Sequence, residues 1–275
     1  MGKIMGIVNV TPDSFSDRGA FLDPERAIAH GRELAEEGAD VLDIGGESTR
    51  PGAAAVSAGE ELRRVTSVVE ALAAGEGPAV SIDTSKVAVA EAALAVGAAM
   101  VNDVTALRAE PALAGLCADR GCDVVLMHML GDPRTMQESP SYRDVVDDVK
   151  AFLAERIEFA VSEGIEEERI WIDPGIGFGK TVEHNLELHR RLGELAKLGR
   201  PIAFGSSRKA FIGKLTGAEV DRRVGGTVAS NVIAYAKGAR MLRVHDVRPM
   251  REALSVAEAT LQPELNPRGS RGSTS

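Results

Sequence analysis

The chain has 275 residues and a mass of 29.0 kDa, 44% of it hydrophobic and 27% charged, which suits one large globular domain with a sizeable core. A formal charge of −9 and a pI near 5.2 argue against the broad basic face that coats nucleic acid, yet a local cation cluster could still bind a small polyanion. No apolar run approaches the roughly 18 residues of a membrane span and the N-terminus lacks a signal-peptide pattern, so a cytoplasmic protein is expected.

In chain order, the opening run KIMGIVNV reads as a strand, and Asp23-Pro24 then supplies an N-cap and a first-turn proline for a helix. That helix is patterned by Ala27, Ile28, Leu34 and Ala35, and later ones by Leu62, Val65, Val69 and Leu72 and by Phe152, Leu153, Ile157 and Ala160. Between helices a unit recurs in which a helix stops at glycine and a short apolar strand follows: EGADVLDI, VGAAMVND, RGCDVVLMH and KGARMLRVH. Gly38, Gly77, Gly97, Gly121, Gly164, Gly199 and Gly238 all precede such runs, which with the opening strand makes eight. Strands that are apolar throughout should be parallel and buried on both faces. Eight of them alternating with helices predict an α/β fold, a single-domain TIM (β/α)8 barrel over 1–262, with a flexible tail over 263–275. An open doubly wound sheet would carry G-x-G-x-x-G after its first strand, and NVTPDSFSD is not that.

Cys117 and Cys122 fall at a predicted helix end and the next strand, as buried reduced thiols would. His30, His184 and His189 lie on predicted helices without metal-ligand spacing and read as surface residues. The stretch RIWIDPGIGFGKT imitates a P-loop but misses by one position, because Pro174 stands where a glycine N–H is needed.

Barrel chemistry gathers where strands leave at their C-terminal ends. Here those ends carry Asn9, Asp43, Asp83, Asn102 with Asp103, His128, Asp173, Ser206 to Lys209, and Arg243 with His245. A single Asp closing a strand is more often a turn former, but polar residues at all eight ends predict a lined site. Asp83, Asn102 and Asp173 suit a flat heterocycle with N–H and amino donors. Arg50, Arg208, Lys209, Arg243 and His245, beside Ser48, Thr49, Ser206 and Ser207, suit a phosphate-like anion. Arg208 could equally be an outward ion-pair partner. Two long loops, TPDSFSDRGAFLDP and GGESTRPGAAAVSAGE, read as lids or binding elements. A magnesium held mostly by ligand phosphate oxygens plus one side chain such as Asn9 suits the chain better than zinc.

The ordered stretches GIVNVTPDSFSD, DIGGESTRPGA, SIDT, VNDV, LMH, DPGIGFGKT, GSSRKAFIG and RVHDV closely resemble dihydropteroate synthases, from Gly6 to Val247. The resemblance implies condensation of 6-hydroxymethyl-7,8-dihydropterin diphosphate with para-aminobenzoate in folate biosynthesis, with Mg2+ and a homodimer. By matching motif, Asp83, Asn102, Asp173 and Lys209 would bind the pterin. Asn9, Arg243 and His245 would hold diphosphate and the metal. Thr49, Arg50, Pro51, Phe178 and Ser207 would surround the aminobenzoate, with Asp17 and Asp43 contributing. It also implies SN1-like loss of diphosphate without a Ser or Cys nucleophile, and competition by sulfonamides. A corrinoid-dependent methyltransferase sharing the barrel, or a non-catalytic paralogue, stays open at this point. TPDSFSD, STRPGA and SSRK weigh against the former, and the intact anion residues against the latter.

Overall fold

A computed structural model describes residues 1–11, 24–49, 52–132 and 135–261. Its centre is a closed barrel of eight parallel strands in sequential order: β1 (Lys3–Asn9), β2 (Val41–Gly45), β3 (Ala79–Asp83), β4 (Met100–Asp103), β5 (Asp123–Met127), β6 (Ile170–Asp173), β7 (Ile202–Phe204) and β8 (Ala239–Val244). The TIM-barrel expectation is met.

Around it lie α1 (Pro24–Glu36), α2 (Ala58–Ala73), α3 (Val87–Ala95), α4 (Ala112–Arg120), α5 (Val145–Ser162), α6 (Val182–Arg190), α7 (Ala210–Thr216), α8 (Val224–Ala236) and α9 (Val247–Leu261). One helix follows each strand except β7, where the short α7 precedes α8. Helix starts follow capping rules: Ser57 caps α2, Asp144 caps α5, and Thr181 with His184 forms a reciprocal capping box on α6. Helix ends carry positive-φ glycines at 38, 97, 121, 164 and 238, as the repeat predicts. Gly77 departs from it: α2 ends at Ala73, and the left-handed glycine after it is Gly75.

Strand residues alternate between two cores. Ile4, Val8, Leu42, Ile44, Val80, Ile82, Val101, Ile172 and Leu242 join the large cluster shared with the helices. The opposite set, Met5, Val41, Met100, Val125, Trp171, Ala203 and Met241, forms a separate cluster inside the barrel. Period two along a strand makes this inevitable once both faces are covered. Cys117 and Cys122 are buried free thiols, as their placement predicts. His189 corrects a sequence expectation: it is buried, with Nε2 2.7 Å from Ser230 Oγ and its ring against Phe204. No described helix is long and apolar enough to cross a membrane.

Candidate active site

Two residues beyond that inner apolar cluster, on the same strand faces, stand the polar groups. Val41 leads to Asp43, Met100 to Asn102, Trp171 to Asp173 and Met241 to Arg243, while Asp83 stands two past the buried Ser81. Register places Asp83 directly opposite Asn102, and Asn9 opposite Gly45. The strands therefore aim these side chains at one end of the barrel interior.

Arg243 is the hub. Its Nε donates to Asp43 Oδ2 at 2.6 Å and its Nη2 to Asp83 Oδ2 at 2.7 Å, while Asn102 Nδ2 donates to Asp43 Oδ2 at 3.0 Å. Asp43 is fully buried and its Oδ1 accepts no hydrogen bond among the described residues. Burial pushes Asp83 up to about 7, against the opposing charge of Arg243 and with help from Asp43 and Glu61. Burial also works against the charge of Arg243, but Asp43 and Asp83 more than offset it and the net direction is upward.

On the opposite side, Asp173 Oδ1 accepts the Gly175 N–H at 2.7 Å. Burial raises Asp173 in spite of the nearby Lys209, and lowers Lys209 to about 7 in spite of Asp173. The Lys209 ammonium donates to the Ile176 carbonyl and stands 4.4 Å from the centre of the Phe178 ring. Phe178 leans on Met127, Met129 and Met136, which gives the site an apolar wall. Ser207 Oγ accepts the His245 N–H at 3.1 Å and lies 2.9 Å from His245 Nδ1. Thr49 is half-buried in the loop that follows β2, and Asn9 is half-buried at the end of β1.

The turn after β6 is shaped by glycine. Gly175 has φ +67°, and a Cβ there would lie 1.8 Å from the His128 carbonyl oxygen, so no other residue fits. The family model described as pterin binding enzyme matches residues 5–245. The dihydropteroate synthase of Escherichia coli K12 is 45% identical over 96% of this chain and 94% of its own length. Among solved structures, Xanthomonas albilineans dihydropteroate synthase with 4-aminobenzoic acid superposes with a TM-score of 0.89 at 52% identity, covering 95% of this chain and 93% of that one. The Yersinia pestis enzyme in a sulfonamide drug complex gives 0.90 at 46% identity over 94% of each chain.

The chain belongs to the dihydropteroate synthase family. It is a transferase and carries the dihydropteroate synthase activity of that family. Of the residues that the family motifs single out, Asp43, Asp83, Asn102 and Arg243 form one hydrogen-bonded group, while Lys209 stands over the Phe178 ring and within electrostatic reach of Asp173. Asp17, Arg50 and Pro51 lie outside the described residues.

Several strand-end residues are otherwise engaged. Arg208 pairs with Asp246 through two bonds of 3.0 and 2.6 Å, which settles it as an ion-pair partner. Asp103 accepts from the Thr105 and Leu107 N–H groups and so builds the β4–α4 turn. Ser206 is fully buried and accepts from Ser230. His128 Nδ1 lies 2.9 Å from Lys180 Nζ. Burial, then Lys180 and Arg108, lowers His128 to about 2, which favours the neutral ring.

Sequence reasoning missed the props behind this layer. Lys180, the lysine of the P-loop look-alike, is buried and donates to the Phe178 carbonyl at 3.0 Å, bracing the turn from beneath. Asn185 Oδ1 accepts the Gly177 N–H at 2.8 Å. Both follow the glycine-rich turn within one helical turn of α6, the available signal in the sequence.

Proposed function

We propose that Asp83, Asn102, Asp173 and Lys209 hold the dihydropterin ring, that Arg243 and His245 take its diphosphate, and that Thr49, Phe178 and Ser207 flank para-aminobenzoate. Arg50 and Pro51 extend that last set, and Asp17 and Asp43 complete the reacting end. The supporting observation is the common inward layer, in which acids and a cation face one another across the barrel mouth. Arg243 spends two N–H donors on Asp43 and Asp83, which leaves three of a guanidinium's five for an anion.

Diphosphate departs with the electron pair of the methylene C–O bond and leaves a cation delocalised into the pterin. The buried carboxylates of Asp83 and Asp173 favour that cation, while Arg243 and His245 neutralise the leaving charge. The aminobenzoate nitrogen then forms the new C–N bond and loses its proton to solvent or diphosphate. No Ser or Cys nucleophile is required.

The donor set fits magnesium rather than zinc. Asn9 offers a hard amide oxygen at the end of β1, the strand that pairs with the one carrying Asp43, and the described residues contain no cluster of three His, Cys, Asp or Glu able to cage a metal. Asn9 would hold the ion together with diphosphate oxygens, where it supplies charge neutralisation when bound.

We also infer a cytoplasmic homodimer. An apolar groove of about 310 Å³ runs between α6, α7 and α8, lined by Leu186, Phe211, Ile212, Leu215 and Ile233. Leu215 is 55% exposed and Ile233 48%, which a second copy would cover.

The test is diphosphate release with both substrates present. Release that depends on aminobenzoate, and that falls when a sulfonamide competes, is expected. Binding of methyltetrahydrofolate with no diphosphate release would replace this reading with the methyltransferase one.

A further inference from the structure

The loop between β2 and α2 is closed by an ion cluster outside the substrate layer. Glu47 Oε1 accepts the Val56 N–H at 2.9 Å, so one carboxylate clips the two ends of the segment 47–56 together. Its other oxygen, Oε2, accepts from Lys86. The same ammonium donates to Glu61 Oε2 on α2. Glu61 is fully buried, an unusual place for a glutamate, and its Oε1 has no partner among the described residues. A carboxylate so buried persists only beside a cation, and Lys86 is that cation.

The neck of the loop is fixed from the same helix. Arg64 donates to the Gly46 carbonyl at 2.8 Å, and a Cβ on Gly46 would stand 2.8 Å from Val65 Cγ1 and 2.9 Å from Glu61 Cγ. Lys86 belongs to the β3–α3 turn, three residues past Asp83, where its own N–H donates to Thr84 Oγ1 at 3.3 Å. Thr84 in turn donates its N–H to the Asn102 carbonyl at 3.1 Å. The clip therefore hangs from the turn that carries a ring-binding carboxylate, and Thr49 stands two residues beyond Glu47.

We propose that Glu47 and Lys86 are positioning residues for the second substrate: their ion pair fixes Glu47, and hence Thr49 two residues on, against the strand end bearing Asp83. This rests on the assignment of Thr49 to the aminobenzoate. The pair touches neither substrate and orients the amine by orienting the loop.

The test is steady-state diphosphate release by the full-length protein, with pterin diphosphate binding measured separately. Glu47→Gln keeps an oxygen for the Val56 N–H and leaves the Lys86–Glu61 pair intact, so the fold is retained. It should raise KM for aminobenzoate about tenfold, the scale of one lost charge-assisted contact. The inhibition constant of a sulfonamide should rise by the same factor, while kcat at saturation and pterin affinity stay near wild type. Lys86→Arg, which can fork to both carboxylates, should keep the wild-type KM. Lys86→Met strands Glu61 and is therefore paired with Glu61→Gln; that double variant should reproduce the KM effect. Wild-type turnover with an unmoved aminobenzoate KM in Glu47→Gln, or an equal loss of pterin affinity, overturns the clip alone. A wild-type protein that releases no diphosphate overturns the functional reading beneath it.

Discussion

The two layers inside the barrel are built by the same strands two residues apart, on the order of 6.6 Å. The lower one, with Met5, Met100, Trp171 and Met241, is dry and apolar. The upper one sets the buried Asp43, Asp83, Asn102 and Asp173 around the half-buried Arg243 and is charged. Burial is thus similar while chemistry is opposite, so the difference lies in what each layer has for partners. The lower layer fills space and stabilises the fold. The upper layer holds desolvated acids and cations against one another, an arrangement that raises carboxylate affinities for protons and lowers that of Lys209. Such a layer costs stability and is suited to a charged, flat ligand.

That contrast can be broken by substitutions in each layer. Trp171→Ala, in the lower one, should cost about 3–5 kcal/mol of stability by the cavity it leaves, read by denaturant unfolding. In the upper layer, Lys209→Ala and Asp173→Asn should each lose about 2.7–4 kcal/mol of transition-state stabilisation, seen as a fall in kcat/KM with the unfolding midpoint almost unmoved. If these variants kept near wild-type turnover, or if Asp173→Asn unfolded the protein as Trp171→Ala does, the two layers would not differ as argued. Gly175→Ala comes next: a left-handed φ costs a residue with Cβ about 1–2 kcal/mol even before the His128 carbonyl is displaced. Its expected signature is lost pterin affinity together with a lowered unfolding midpoint.

The smallest effects are shifts of pH limbs. Asp83, raised by burial to about 7, offers both oxygens and a negative charge to ring donors only when ionised, so kcat/KM should fall as pH drops below neutrality. Lys209, lowered by burial to about 7, carries its positive charge only when protonated, so kcat/KM should also fall above neutrality. Arg243 lowers Asp83, so Arg243→Met should move the acid limb to higher pH. Asp173 raises Lys209, so Asp173→Asn should move the alkaline limb to lower pH. Limbs that stay fixed in both variants would assign the titrations elsewhere.

Strand ends such as Asp43, Asp83 and Asp173 were legible in the sequence because each closes a short apolar run, and the glycine-stopped helices before those runs gave the barrel. The partners of those residues were not legible. Arg243 reads in the sequence as part of an anion site set apart from the acids, yet it reaches Asp43 across 200 positions and Asp83 across 160. His189 reads as a surface residue because it lies on a helix without metal-ligand spacing, but Ser230 and Phe204 arrive from α8 and β7 to cover it. No local pattern marks Lys86 and Glu61 as partners, yet they pair across 25 positions with Glu61 fully buried.

By itself, then, the sequence determined the periodic part: eight buried strands, helices stopped by glycine, and one rim rich in polar groups, because strand alternation, capping and left-handed glycine are local properties of the chain. Only the tertiary structure decided which charges meet, which are desolvated and which merely brace a turn, because closing the barrel brings together residues whose separation along the chain carries no trace of their distance in space.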